Sequence, residues 1–148
     1  MYHYTDCGLP NVYLRDGFIV RDIDGEEAVA IRNLEKLHKA IGLDIVHKAP
    51  ALTDEEIRFL RKEMELTQSS LANIIGVSED SIRGWENNRG NVSAPADKLL
   101  RGLYSEHVNG DGHLSDLLNE IGRLNREIAE HQRMMNFEEA NGDWRIAA

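Results

Sequence analysis

Residues 67–90, TQSSLANIIGVSEDSIRGWENNRG, constrain the fold more than any other stretch. Two short helical patterns meet there at Gly76. The first sets Leu71, Ala72, Ile74 and Ile75 behind Thr67, a good N-cap ahead of Gln68. The second follows Ser78, another N-cap, and places Ile82 and Trp85 three apart on one face. Ala72 is small where two helices cross closely, and Gly76 permits the left-handed conformation that a tight helix exit needs. Val77 plugs the corner. Leu71, Ile75, Ile82 and Trp85 are expected in the core, and Ser78, Glu79, Asp80, Ser81, Arg83, Gly84 and Asn87 outside it.

A helix, a glycine turn and a capped second helix is the helix-turn-helix pattern, whose second helix enters the DNA major groove. The run TQ-x-x-LA-x-x-x-GV-S-x-x-S-I-x-x-WE resembles the XRE-type helix-turn-helix of Cro and the phage repressors. The resemblance implies a sequence-specific regulator that acts as a homodimer on double-stranded DNA. On such a recognition helix Glu79, Asp80, Arg83 and Asn87 face bases: arginine prefers guanine, asparagine prefers adenine, and a carboxylate accepts from cytosine N4. Gln68, Ser69, Ser78, Ser81 and Arg89 are expected to contact phosphates through side chains and helix N-terminal amides. Two acids at the groove entrance either reject wrong sequences or steady the helix dipole, at about 0.3–1 kcal/mol each. Gly84 leaves readout thin at its turn.

The net charge of −9 opposes casual binding to nucleic acid. The acid is uneven, however: residues 105–148 carry nine acidic and four basic side chains, whereas 1–52 and 53–104 each have a net charge of −2. A dimer that turns its last third away from DNA leaves Arg58, Arg61, Lys62, Arg83, Arg89, Lys98 and Arg101 for phosphates. With 41% hydrophobic and 29% charged residues, the 148-residue chain reads as folded, with room for one ordinary domain or two small ones. No apolar run approaches the roughly 20 residues that span a bilayer. MYHYTDCG lacks the basic and apolar regions of a secretory signal, and the single Cys7 fits a reducing compartment, so a cytoplasmic location is expected.

The expected fold class is α+β, in three segments: 1–50, 51–108 and 109–148. In the first, 11–14 and 18–20 flank Arg15-Asp16-Gly17, and Asp24-Gly25 leads into 26–31, which predicts a three-stranded antiparallel meander. A helix from about 33 to 48, capped by Asn33, covers it with Leu34, Leu37, His38, Ile41, Ile45 and Val46; Gly42 weakens that helix by about 1 kcal/mol. Pro50 marks the connection. Thr53 and Glu56 form a capping box that opens an all-α domain of about five helices, with Ile57, Leu60 and Met64 inward. Ser93 and Pro95 open another helix, with Ala96, Leu99, Leu100, Leu103 and Tyr104 on its apolar face. After a flexible VNGDG, Leu114, Leu117, Ile121, Leu124 and Ile128 form a heptad seam, continued by His131 and Met135. A second copy of the chain, or the chain's own domain, covers that seam; dimerisation is the favoured reading. Trp144 anchors the tail.

Tyr4-x-x-Cys7-Gly8 stands where MqsA-type antitoxins begin a zinc module with Cys-x-x-Cys-Gly, and the order of meander, connecting helix, linker and helix-turn-helix resembles theirs. That resemblance implies antitoxin-like autoregulation, with residues 1–50 meeting a toxin-like protein. A structural zinc needs about four Cys or His ligands. Cys7 has no cysteine partner, and His3, His38 and His47 lack knuckle spacing, so no metal and no cofactor are expected, with Tyr2, Tyr4, Tyr13 and Phe18 holding the module. No catalytic motif such as G-x-S-x-G, H-E-x-x-H or a phosphate-binding loop occurs, and no enzyme activity is expected. The sequence therefore points to a repressor, the alternative being a protein-interaction module that acts through residues 1–50.

Overall fold

In the computed structural model, which describes residues 1–110, 113–128 and 135–147 with the side chains of 48, 122 and 124–128 excepted, turn chemistry decides how the N-terminal strands pair. Strand β3 (Phe18–Ile23) runs back as β4 (Glu26–Ile31), in register from Phe18↔Ile31 to Ile23↔Glu26. Asp24 (φ 52°) and Gly25 (φ 84°) close it, both at the positive φ that a two-residue type I′ turn requires. The other pair is β1 (Tyr2–His3) with β2 (Tyr13–Leu14).

The expected meander is therefore corrected to two separate hairpins. The Asp16-Gly17 corner does not fold β2 onto β3, because the Gly17 carbonyl instead accepts from Arg32 N–H at 2.9 Å and closes the far end of the β3–β4 ladder. Strand β2 is left to the chain's first residues, where Tyr4 N–H donates to Val12 O at 2.9 Å and the His3 and Tyr13 rings stack at 4.4 Å. Tyr2 meets Phe18 at 5.4 Å, joining the two hairpins.

Helix α1 (Leu34–Lys48) follows Asn33, which sits in the left-handed region at φ 50° and makes no side-chain cap. Asparagine was expected to cap there; it serves instead by tolerating αL. Leu34 is exposed, while Ile45 is buried and Leu37, His38, Ile41 and Val46 are half-buried. Gly42 has a packing role: a Cβ there would overlap the Tyr104 ring, so the missing side chain is the seat of a buried tyrosine.

Helix α2 (Asp54–Glu63) opens with both halves of its capping box, Glu56 N–H to Thr53 Oγ1 at 3.2 Å and Thr53 N–H to Glu56 Oε1 at 2.9 Å. Then come α3 (Gln68–Ile75), α4 (Glu79–Glu86) and α5 (Ala94–Val108), the last capped by Ser93 with Pro95 in its first turn. Four helices, rather than five, thus lie between 51 and 108, and α6 (His113–Ile128) docks as a fifth. One core takes in Leu9, Ile45 and Leu52 together with Ile57, Phe59, Leu60, Leu71, Ile82, Leu100 and Tyr104. The packing runs without a break from 1–50 into 51–108.

Of the heptad residues, Leu114 packs against this core, as does the neighbouring Leu118, and the Leu114 N–H donates to the Glu106 carboxylate. Leu117 and Ile121 stay exposed, at 55% and 43%. The side chains of 124 and 128, and residue 131, lie outside the described residues. The tail is a hairpin, β5 (Phe137–Ala140) with β6 (Asp143–Ile146), turning at Asn141-Gly142. Trp144 does not anchor it; at 72% exposure it stands across from Glu139 on the open face that Phe137 and Ile146 share. Among the described residues, six helices and three antiparallel strand pairs make an α+β chain, and no helix is long and apolar enough to cross a membrane.

Candidate nucleic-acid interface

Local chemistry fixes the angle between α3 and α4. Thr67 caps α3, its Oγ1 accepting from Ser70 N–H at 3.0 Å. At the other end Gly76 takes φ 87°, and both Gly76 N–H and Val77 N–H return to Ala72 O, at 2.8 and 3.0 Å. The second of these is the six-to-one bond of a Schellman-type stop, which satisfies a carbonyl the helix end would orphan. Ser78 then restarts the chain as α4, its Oγ accepting from Ser81 N–H at 3.0 Å. Leu71, Ala72 and Ile82 are buried between the two helices; Ile75 and Trp85, expected fully inside, are half-buried at the edge of the core.

Glu86 locks the inner face of α4. Its carboxylate takes two parallel bonds from Arg61, Nε to Oε2 at 2.7 Å and Nη2 to Oε1 at 2.8 Å, and Gln68 Nε2 reaches Oε1 at 3.4 Å. Arg58 adds its Nη2 to the Glu86 carbonyl at 2.8 Å and to Asn87 Oδ1 at 3.4 Å. A forked guanidinium–carboxylate pair at a helix crossing fixes geometry as well as charge. Three of the arginines expected on phosphates are thus engaged within the fold, Arg58 among them through its bond to the Glu86 carbonyl. Arg61 belongs to Glu86. Arg101 bonds Asp97 at 2.6 Å and the carbonyls of Val46 and Ala49 at 3.2 and 2.8 Å.

The outer face carries the residues expected at bases. Glu79, Asp80 and Asn87 are exposed, and Arg83 is half-exposed. Arg83 is held by its own helix, Nη1 to Asp80 Oδ1 at 3.1 Å and Nη2 to Glu79 Oε1 at 3.3 Å. Of the expected phosphate contacts, Ser69, Ser78 and Arg89 are exposed and Ser81 is half-buried. Ser78 and Ser81 share a hydroxyl–hydroxyl bond at 2.9 Å. Gln68 is half-buried, its amide turned toward Glu86. Lys62 and Lys98 are exposed as well.

Sequence reading missed Glu86, although a signal was present: it lies four residues after Ile82, on the stripe that must be buried, and an acid there demands a buried base. Between the N-terminal segment, α1 and α2, Tyr4 donates its hydroxyl to His38 Nε2 at 2.7 Å, and His38 Nδ1–H donates to Glu63, the tautomer that satisfies both partners. Burial pushes the Tyr4 phenol above its ordinary value, with Cys7, Asp6 and Glu63 adding to the rise. Burial, and then the Glu63 charge, pushes Tyr104 up to about 12.

No curated protein and no solved structure matches the chain. A family model does: that of the Helix-turn-helix family matches residues 57–96, taking in most of α2, all of α3 and α4 and the start of α5.

Proposed function

We propose that this protein is a sequence-specific DNA-binding repressor, with α4 as the helix that enters the major groove. One observation carries the reading: α3, the Gly76 stop and α4 form a capped helix-turn-helix, locked from behind by Arg61–Glu86, that turns Glu79, Asp80 and Arg83 outward. The family match over residues 57–96 supports it. Glu79, Asp80 and Arg83 read base edges, and Ser69, Ser78, Ser81 and Arg89 touch phosphates. Asn87, with Oδ1 taken by Arg58, faces DNA through its amide donors. The protein works as a homodimer in the cytoplasm, and the exposed Leu117 and Ile121 begin the seam between copies, so that two recognition helices meet half-sites about one helical turn apart.

A second reading has its own support. The β3–β4 hairpin leaves Val20 and Ile23 exposed beside Asp22, Asp24, Glu26 and Glu27, an acidic apolar finger poorly suited to DNA and well suited to a protein. An antitoxin-like regulator, autoregulating through α4 and meeting a toxin-like partner through residues 1–50, combines the two.

Fluorescence anisotropy on the DNA upstream of the protein's own gene, against a shuffled duplex at two salt concentrations, tests the main reading. Selective binding that weakens steeply with salt is expected. Equal weak binding to both duplexes overturns it and leaves the protein-interaction reading.

A further inference from the structure

We infer that Glu79 and Asp80 act as a buttress that reserves Arg83 for a guanine edge and keeps it off phosphate, so that the half-site carries a G·C pair beneath α4. The inference rests on the DNA-binding reading above and specifies what that site recognises.

Arg83 is the sole base in α4, and it is tied at i−3 and i−4 to two acids of the same helix. A guanidinium has five N–H donors in a planar fork. Asp80 takes one from Nη1 and Glu79 one from Nη2. Three donors remain, on a fork tethered at both of its Nη nitrogens. Holding a long side chain before the ligand arrives lowers the entropic cost of a bidentate contact.

Charge decides which contact follows. Two carboxylates around one guanidinium leave the cluster net negative, so a phosphate meets repulsion where a lone arginine would attract it. The guanine edge is neutral and offers two acceptors, O6 and N7, to the fork. Adenine sets a donor beside its single acceptor, which opposes the fork. Across the same G·C pair, cytosine presents N4–H₂, a donor that the carboxylates accept. One base pair therefore meets both signs of the cluster, and no other pair does so equally well. Glu79 and Asp80 are positioning residues for Arg83 as well as acceptors.

The test uses the full chain and a half-site selected from a randomised duplex pool, with each base pair then replaced in turn and a shuffled duplex as reference, all read by anisotropy. Wild type is expected to prefer G·C at one position by roughly tenfold or more, a preference that Arg83→Lys removes while keeping the charge. The Glu79→Gln/Asp80→Asn double variant is expected to bind the shuffled duplex roughly tenfold tighter, to lose preference at that same position alone, and to gain about one unit in salt slope as the freed arginine takes a phosphate. Circular dichroism checks that α4 persists. A double variant that tightens on every duplex by one factor, its G·C preference intact, overturns the buttress and leaves general repulsion. A wild-type preference for A·T at the Arg83-dependent position overturns the guanine assignment. Wild type that binds all duplexes alike removes the DNA reading itself, and the inference with it, before any variant is made.

Discussion

On the inner face of α4, Glu86 has 0% of its side chain exposed and meets Arg61 at 2.7 Å. On the outer face, Asp80 is 84% exposed and meets Arg83 at 3.1 Å. The two pairs share an eight-residue helix and the same functional groups, yet burial gives them different work. The inner carboxylate has lost its water, so its bonds to Arg61, Gln68 and, across 3.5 Å, Arg58 Nε are its whole solvation. Removing either partner strands a charge. The outer carboxylates stay hydrated, and their attraction to Arg83 adds little to stability. In the reading proposed above, what they control is which groups Arg83 can approach: one side of the helix sets where α4 lies, and the other is assigned to what it touches.

Substitution separates these roles, most strongly on the inner face. Glu86→Ala is expected to cost about 3–5 kcal/mol in urea unfolding, because it leaves Arg61 buried without its counter-charge. Next comes Gly42→Ala, which drives a methyl into the Tyr104 ring and is expected to cost about 1–3 kcal/mol. A loss that large at a helical glycine, where alanine would ordinarily stabilise, distinguishes packing from propensity. Arg83→Ala should reverse the pattern of Glu86→Ala: within about 0.5 kcal/mol of wild type in stability, but losing about 1–3 kcal/mol on the preferred duplex. Equal effects on both measures would erase the distinction between the faces.

The remaining expected effect is confined to alkaline pH. Tyr104, raised to about 12 from an ordinary value of 10.0, keeps its proton in the folded chain after the unfolded chain has lost it. Its contribution is complete below pH 10 and disappears as the pH rises to about 12. Tyr104→Phe should flatten the stability–pH curve in that window, measured by urea midpoints.

Local signals were legible in the sequence and long-range partners were not. The caps at Thr53, Thr67, Ser78 and Ser93, the Gly76 stop and the Asp24-Gly25 turn are each decided within a few residues, and the chain announces them. The pairing of β2 with β1 depends on where residues 2–3 return, which no local pattern encodes. Arg61 and Arg101 read as surface cations because Glu86 lies 25 residues from the first, and the carbonyls of Ala49 and Val46 lie 52 and 55 residues from the second. Gly42 read as a weak point of α1 for the same reason, its neighbour Tyr104 being on α5. The outer face was easier: which residues point away from the core follows from the helical period once Ile82 is inside.

The splice at residues 46–52 has a mechanical consequence. Arg101 grips the carbonyls of Val46 and Ala49, and Asp97, itself bonded to Arg101, accepts from Leu52 N–H at 2.8 Å. The connection between the N-terminal segment and α2 is therefore fastened along its length to α5, leaving little slack for a hinge. α1 and the frame that carries α4 are thus joined as by a weld, and turn together.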